Sequence, residues 1–164
     1  MGSKKTAVFL DRDGTLIVDT GYPNDPDAVV LIDGAAAALR ALPPELALVI
    51  ISNQSGLARG LITPAQAAAV AARVLALFAA EGVTFAGVYH CPHAPDAGCA
   101  CRKPAPGMLL AAARDLDLDL AASIVVGDKP SDVEAAHNAG CRAGVLFENW
   151  PAAAGRIASL LGLE

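Results

Sequence analysis

The sequence has 164 residues, with 12 Lys and Arg against 17 Asp and Glu, a formal net charge of −5 and 54% hydrophobic content. An acidic chain lacks the basic face that non-specific nucleic-acid binding needs. Its apolar residues, many of them alanine, form no run long enough to span a membrane. The start, Met1-Gly2-Ser3-Lys4-Lys5, carries no apolar segment of signal-peptide length. The expectation is a monomeric cytoplasmic protein of one domain, residues 1–164, long enough to bury a full core.

Ala7 to Leu10 is a short apolar strand that runs into Asp11-Arg12-Asp13-Gly14. A polar, turn-rich loop follows from residue 17 to 33, with one extended piece at 29–32. Alanine-rich residues 34–42 form a helix ended by Pro43-Pro44. Residues 46–51 are a second apolar strand, as in a parallel sheet covered on both faces. Thr63-Pro64 is an N-cap and first helical residue, opening a helix to about Ala80. Residues 83–89 read as a third strand, followed by a loop rich in Cys and His. Helices at 106–116, 131–139 and 152–161 alternate with strands at 122–126 and 143–147. This alternation predicts an α/β fold, a doubly wound, mostly parallel sheet.

In such sheets ligands bind beyond the carboxyl ends of the strands. Asp11 and Asp13 stand there after the first strand, and their i, i+2 spacing on extended chain puts both side chains on one side. Two like charges so close call for a cation. Taken alone, the stretch reads equally well as a strand closing in a solvated turn. Ser52, Asn53 and Gln54 follow the second strand, and Gly127-Asp128-Lys129-Pro130-Ser131-Asp132 the fourth. Arg102 and Lys103 precede the 106–116 helix. Asp11, Asp128 and a backbone carbonyl near Asp13 can form an oxygen site for Mg²⁺. Ser52 and neighbouring N–H groups can meet phosphate oxygens, while Lys103 adds positive charge. That set suits phosphoryl transfer through an aspartyl-phosphate.

The ordered motifs Asp11-x-Asp13, Ser52, Lys103 and Gly127-Asp128-x-x-x-Asp132 closely resemble the haloacid dehalogenase superfamily of phosphohydrolases, with its Rossmann-like core. The resemblance implies Asp11 as nucleophile and Asp13 as general acid and base. It implies Mg²⁺ on Asp11, the Asp13 carbonyl and Asp128, and phosphoryl stabilisation by Ser52, Arg102 and Lys103. Asp132 would orient Lys129 or a metal-bound water; an equal reading makes it a helix-start residue favourable to the dipole.

Cys91-x-His93-x5-Cys99-x-Cys101 offers four ligands of the type tetrahedral Zn²⁺ takes. At a strand end Cys91 and His93 share a side, whereas His90 points away. With no vacant ligand position, the zinc would be structural and would pin the loop carrying Arg102 and Lys103. Cys141 and His137 read as a core thiol and a helix-face histidine. The zinc loop narrows the resemblance to the subgroup of heptose 1,7-bisphosphate and histidinol-phosphate phosphatases. Asn53-Gln54-Ser55-Gly56-Leu57-Ala58-Arg59-Gly60 and Arg102-Lys103-Pro104 look more like the heptose enzymes. That branch implies a sugar bisphosphate substrate; the sister branch implies histidinol phosphate.

The intervals from Asp13 to Ser52 and from Ser52 to Lys103 are used by core elements, which leaves no room for a large cap domain. Substrate selection then falls to loops. The flap with Asp19 and Tyr22, the Cys/His loop, the strand-end residues Asn53, Gln54 and Lys129, and Arg59 or Arg102 as an anchor for a second phosphate are the candidates. A receiver-type phosphoacceptor domain is a rival reading, but it pairs its acidic residues as neighbours and has no zinc cluster. A zinc-stabilised interaction module leaves the four motifs unexplained.

Overall fold

The computed structural model describes residues 2–163. Strands β1 (Ala7–Leu10), β2 (Ala47–Asn53), β3 (Gly87–Cys91), β4 (Ile124–Gly127) and β5 (Ala143–Leu146) form a parallel sheet in the order β3-β2-β1-β4-β5. Helices α1 (Ala35–Arg40), α2 (Pro64–Ala80), α3 (Gly107–Leu116), α4 (Pro130–Ala139) and α5 (Trp150–Leu161) cover it, with short 3-10 turns at Pro26–Ala28 and Leu120–Ala122. This is the doubly wound α/β architecture the alternation predicts.

Side chains alternate across the sheet with period two. Val8, Leu10, Leu48, Ile50 and Val126 point to one face, where α1, α2 and α5 bring Leu39, Val74, Phe78, Trp150 and Ile157. Ala7, Phe9, Val49, Ile51 and Val125 point to the other, beneath Met108, Leu109 and Ala112 of α3 and Ala135 and Ala136 of α4. Both faces are therefore buried, and the central strands read as unbroken apolar runs.

Local chemistry sets the element ends. Thr63 Oγ1 accepts the Gln66 N–H at 3.1 Å while Gln66 Oε1 accepts the Thr63 N–H at 2.9 Å, a reciprocal cap. The third strand differs from the 83–89 expectation. Val83 turns back to the Phe78 carbonyl at 2.9 Å, closing the end of α2, and is buried in the core rather than paired in the sheet. Pairing begins near Ala86, whose N–H reaches the Leu48 carbonyl, and runs on to Cys91 opposite Asn53. The apolar Val83 and Phe85 thus pack with the core ahead of the strand, and β3 delivers Cys91 directly to the sheet's carboxyl end. Helix α1 is shorter than expected, starting after Gly34, which adopts a positive φ of 84°. Among the described residues, no helix is long and apolar enough to cross a membrane.

Candidate active site and a second metal-binding cluster

Strand β1 is central, so the backbone leaving it is flanked by the ends of β2 and β4. The Asp11 N–H donates to the Val126 carbonyl at 2.9 Å, holding the turn against β4. Gly14 has a φ of +88°, and a Cβ there would collide with the Asp128 carboxylate. Only glycine permits that turn and that approach. The β1 and β4 carboxylates come together for this reason.

Asp11, Asp128 and Asp132 each place a carboxylate oxygen within 4.8 Å of the others. The Lys103 ammonium lies among them, 2.8 Å from Asp11 Oδ1 and 2.6 Å from Asp132 Oδ1, and it also donates to the Ile51 carbonyl at 3.2 Å. Burial pushes the Asp11 carboxyl up to about 6, against the pull of Lys103. Asp132 is likewise raised, chiefly by burial. For Lys103, burial works against the charge, but Asp11 and Asp132 outweigh it and its pKa is raised. A buried ammonium persists because two carboxylates face it.

Asp132 contacts Lys103 through one oxygen and accepts the Lys129 backbone N–H at 3.1 Å through the other. It therefore caps α4 through the Lys129 N–H, at the helix start where one of its two sequence readings put it, and it also orients the Lys103 ammonium, a partner the sequence did not indicate. Asp128 Oδ1 is buried without a hydrogen-bond partner. An orphaned, buried carboxylate oxygen beside two further carboxylates is the donor set a hard divalent cation takes, so these residues fit Mg²⁺.

Asn53 and Gln54 border the same cleft as Asp11 and Ser52, and both also hydrogen-bond to the protein. The Asn53 amide pairs with the Lys103 backbone, accepting its N–H at 3.0 Å and donating to its carbonyl at 3.3 Å. Gln54 Nε2 donates to Asp13 Oδ2 at 3.2 Å and to Ser52 Oγ at 2.5 Å. Arg12 also grips Asp13, with Nε 2.8 Å from Oδ1. These two amides position the residues beside them, a task that strand-end placement alone did not reveal. Arg12 went unremarked because its neighbours carried the motif.

Asp11, Asp13, Ser52, Lys103 and Lys129 line a cleft of about 450 Å³ whose wall also includes Asp19, Tyr22, Arg59 and Arg102. Arg59 hydrogen-bonds the Tyr22 hydroxyl and lies over its ring, 5.4 Å from the centroid. This contact ties the flap to the loop after β2. Arg102 Nη1 is buried without a partner.

The Cys/His residues also converge. Cys91, His93, Cys99 and Cys101 present ligand atoms all within 4.8 Å of one another. Cys91 Sγ lies 2.7 Å from Cys101 Sγ and 3.3 Å from His93 Nδ1. Burial pushes the Cys91 thiol up to about 12. Burial also opposes ionisation of Cys99, but the Arg102 backbone and the Cys91 thiol bring it down to about 6. Three cysteine sulfurs and an imidazole nitrogen converging in this way fit a tetrahedral Zn²⁺. His90 stays outside this group. Cys141 also stands apart, its thiol pushed up to about 11 by burial.

Fold and site together define a hydrolase of the haloacid-dehalogenase-like class, with its carboxylates after the first and fourth strands. The HAD-hydrolase-like family model matches residues 100–147. The D-glycero-β-D-manno-heptose-1,7-bisphosphate 7-phosphatase of Yersinia pestis is 46% identical over 138 residues, 79% of this chain and 73% of its own. That of Escherichia coli K12 is 44% identical over 144 residues, 83% and 75%. A crystal structure of D,D-heptose 1,7-bisphosphate phosphatase from B. bronchiseptica, complexed with magnesium and phosphate, superposes with a TM-score of 0.84 at 33% identity, covering 94% of this chain and 98% of that one. A putative HAD-like phosphatase from Mesorhizobium loti gives 0.87 at 35%, covering 98% and 87%. The chain belongs to the haloacid-dehalogenase-like phosphatases, in the family of the D-glycero-β-D-manno-heptose-1,7-bisphosphate 7-phosphatases.

Proposed function

We propose that this chain hydrolyses the 7-phosphate of D-glycero-D-manno-heptose 1,7-bisphosphate through an aspartyl-phosphate on Asp11. The carrying observation is the buried Asp11–Lys103–Asp132 constellation beside the unpartnered Asp128 oxygen. It puts a nucleophile, a fixed cation and a cation-binding carboxylate at one point. The substrate rests on the named relatives. The whole chain acts as one catalytic unit, a cytoplasmic monomer with its metal loop at about 91–101.

Asp11 attacks phosphorus, and the bond from phosphorus to the bridging oxygen breaks. Asp13 gives that oxygen its proton, then takes one from water as the acyl phosphate is hydrolysed. Ser52 and Lys103 hold the equatorial oxygens, and Lys103 stays fixed because Asp132 and the Ile51 carbonyl share its protons. Asp11, Asp128 and the Asp13 carbonyl would hold Mg²⁺, which would supply charge neutralisation at the phosphoryl oxygens. Cys91, His93, Cys99 and Cys101 would hold a Zn²⁺, which would give rigidity to the loop that ends in Arg102 and Lys103. Arg59 or Arg102, which line the same cleft, would be the cationic anchor for the uncleaved phosphate.

The test is a side-by-side kcat/KM comparison at fixed Mg²⁺ of the heptose bisphosphate, the heptose monophosphate and histidinol phosphate. The bisphosphate should win by at least about tenfold, since remote binding energy improves positioning of the reacting group. A preference for histidinol phosphate, or no gain from the second phosphate, would move the chain to the sister branch.

A further inference from the structure

Asp13 has to present its carboxyl to two different atoms, the leaving oxygen and then a water. A free aspartate rotates about two side-chain bonds. In this protein it does not rotate freely, because a fork holds it. Arg12 Nε meets Oδ1 at 2.8 Å and Arg12 Nη2 meets Oδ2 at 3.4 Å. Gln54 Nε2 reaches Oδ2 at 3.2 Å and shares itself with Ser52 Oγ. The aspartate is thereby registered against the hydroxyl that would bind the phosphoryl group.

The arm that carries the fork is itself rigid. The Arg12 carbonyl accepts the N–H groups of Thr15, Leu16 and Ile17, at 3.3, 2.8 and 3.1 Å. Its side chain is only 8% exposed. It borders an apolar cavity of about 380 Å³ walled by Ile50, Leu57, Ala71 and Val88. A guanidinium placed against such a wall is unfavourable without a paired carboxylate. Asp13 is that partner, on the adjacent residue. A lysine could supply the charge there but not the planar two-point grip.

We infer that Arg12 is a positioning residue for proton transfer: its fork fixes the plane of the Asp13 carboxyl in the cleft, in register with the Ser52 hydroxyl. The inference rests on the reading of Asp13 as acid and base. Arg12 itself touches no reacting atom.

Leaving-group dependence separates this role from a structural one. An alkyl phosphate needs the departing alkoxide protonated, whereas p-nitrophenolate leaves unaided. kcat/KM reports the first, phosphorylating half-reaction, so it isolates the acid. For Arg12→Lys, kcat/KM on the sugar phosphate should fall roughly thirtyfold or more, and on p-nitrophenyl phosphate by less than about threefold. The activated ester should also release a burst of p-nitrophenol, because the second half-reaction still needs Asp13 as base. Arg12→Gln, which keeps a neutral donor, should show the same discrimination, and its melting curve with that of Arg12→Lys verifies folding. Asp13→Asn is the reference and should discriminate more strongly still. Equal losses on both esters in the folded Arg12 variants, or none, with a discriminating Asp13→Asn, overturn the role of Arg12 alone. An Asp13→Asn that fails to discriminate removes the reading of Asp13, and this inference with it.

Discussion

The side chain of Asn53 pairs with the backbone of Lys103, accepting its N–H and donating to its carbonyl. The last residue of β2 and the loop before α3, distant in sequence, are joined by this amide. The position of the Lys103 ammonium between Asp11 and Asp132 depends on that lock.

Asn53→Ala should therefore damage catalysis beyond its cost in stability. Losing two hydrogen bonds costs about 1 to 2 kcal/mol, but a displaced Lys103 loses its aim at the phosphoryl group. The expected result is a fall in kcat of about 10- to 100-fold with KM changed far less. Steady-state kinetics with a parallel melting curve checks this; a change in KM alone would assign Asn53 to substrate binding instead.

How much of this was legible in the sequence depends on what kind of signal each residue leaves. Asp11, Asp13, Ser52, Lys103 and Asp128 stand directly after strands or before a helix, so periodicity located them at one end of the sheet. The Cys/His spacing likewise announced a cluster. The partnerships of Asn53, Gln54 and Arg12, and that of Asp132 with Lys103, were not legible, since each depends on which way a side chain turns across a gap that tertiary packing sets. The start of β3 was misread for a related reason. Val83 is as apolar as a strand residue, but it is buried by a turn after α2. Apolarity reports burial before it reports backbone geometry.

Asp11→Asn should reduce kcat by at least about three orders of magnitude, since the nucleophile is gone. Its effect on stability has the opposite sign. The Asp11 carboxyl is raised to about 6 from 3.8, so in the folded protein the group favours its proton. Its contribution to stability is then greatest below about pH 4 and is lost as pH rises toward 6. Without added divalent cation, Asp11→Asn should gain stability relative to the parent across that window, by on the order of 2 to 3 kcal/mol. Denaturation series at pH 4 and pH 7 measure the difference. A parent that gains on the variant as pH rises would contradict the burial argument.

Cys99→Ser should lose bound zinc and lower Tm by roughly 10 °C. Metal content measured by emission spectroscopy should drop from about one zinc per chain to a small fraction. Activity should fall with it, because Arg102 and Lys103 follow the loop directly. Cys141→Ser is the control and should keep its metal, as Cys141 lies outside the cluster. Full thiol titration and no zinc in the parent protein would end this reading.

The strand order has a consequence for how the chain is made. The central strand β1 is the first to emerge during synthesis, and one of its two neighbours, β4, is almost the last. Until β4 arrives, one edge of β1 displays unpaired N–H and carbonyl groups along Ala7-Val8-Phe9-Leu10, a wholly apolar run. Such an edge is open to pairing with another chain. Asp11 and Lys103, 92 residues apart, cannot meet before most of the chain exists. Nascent chains of this protein should therefore pass through an aggregation-prone interval that ends only when the fourth strand closes the sheet, and slow translation through residues 90–120 would lengthen that exposure.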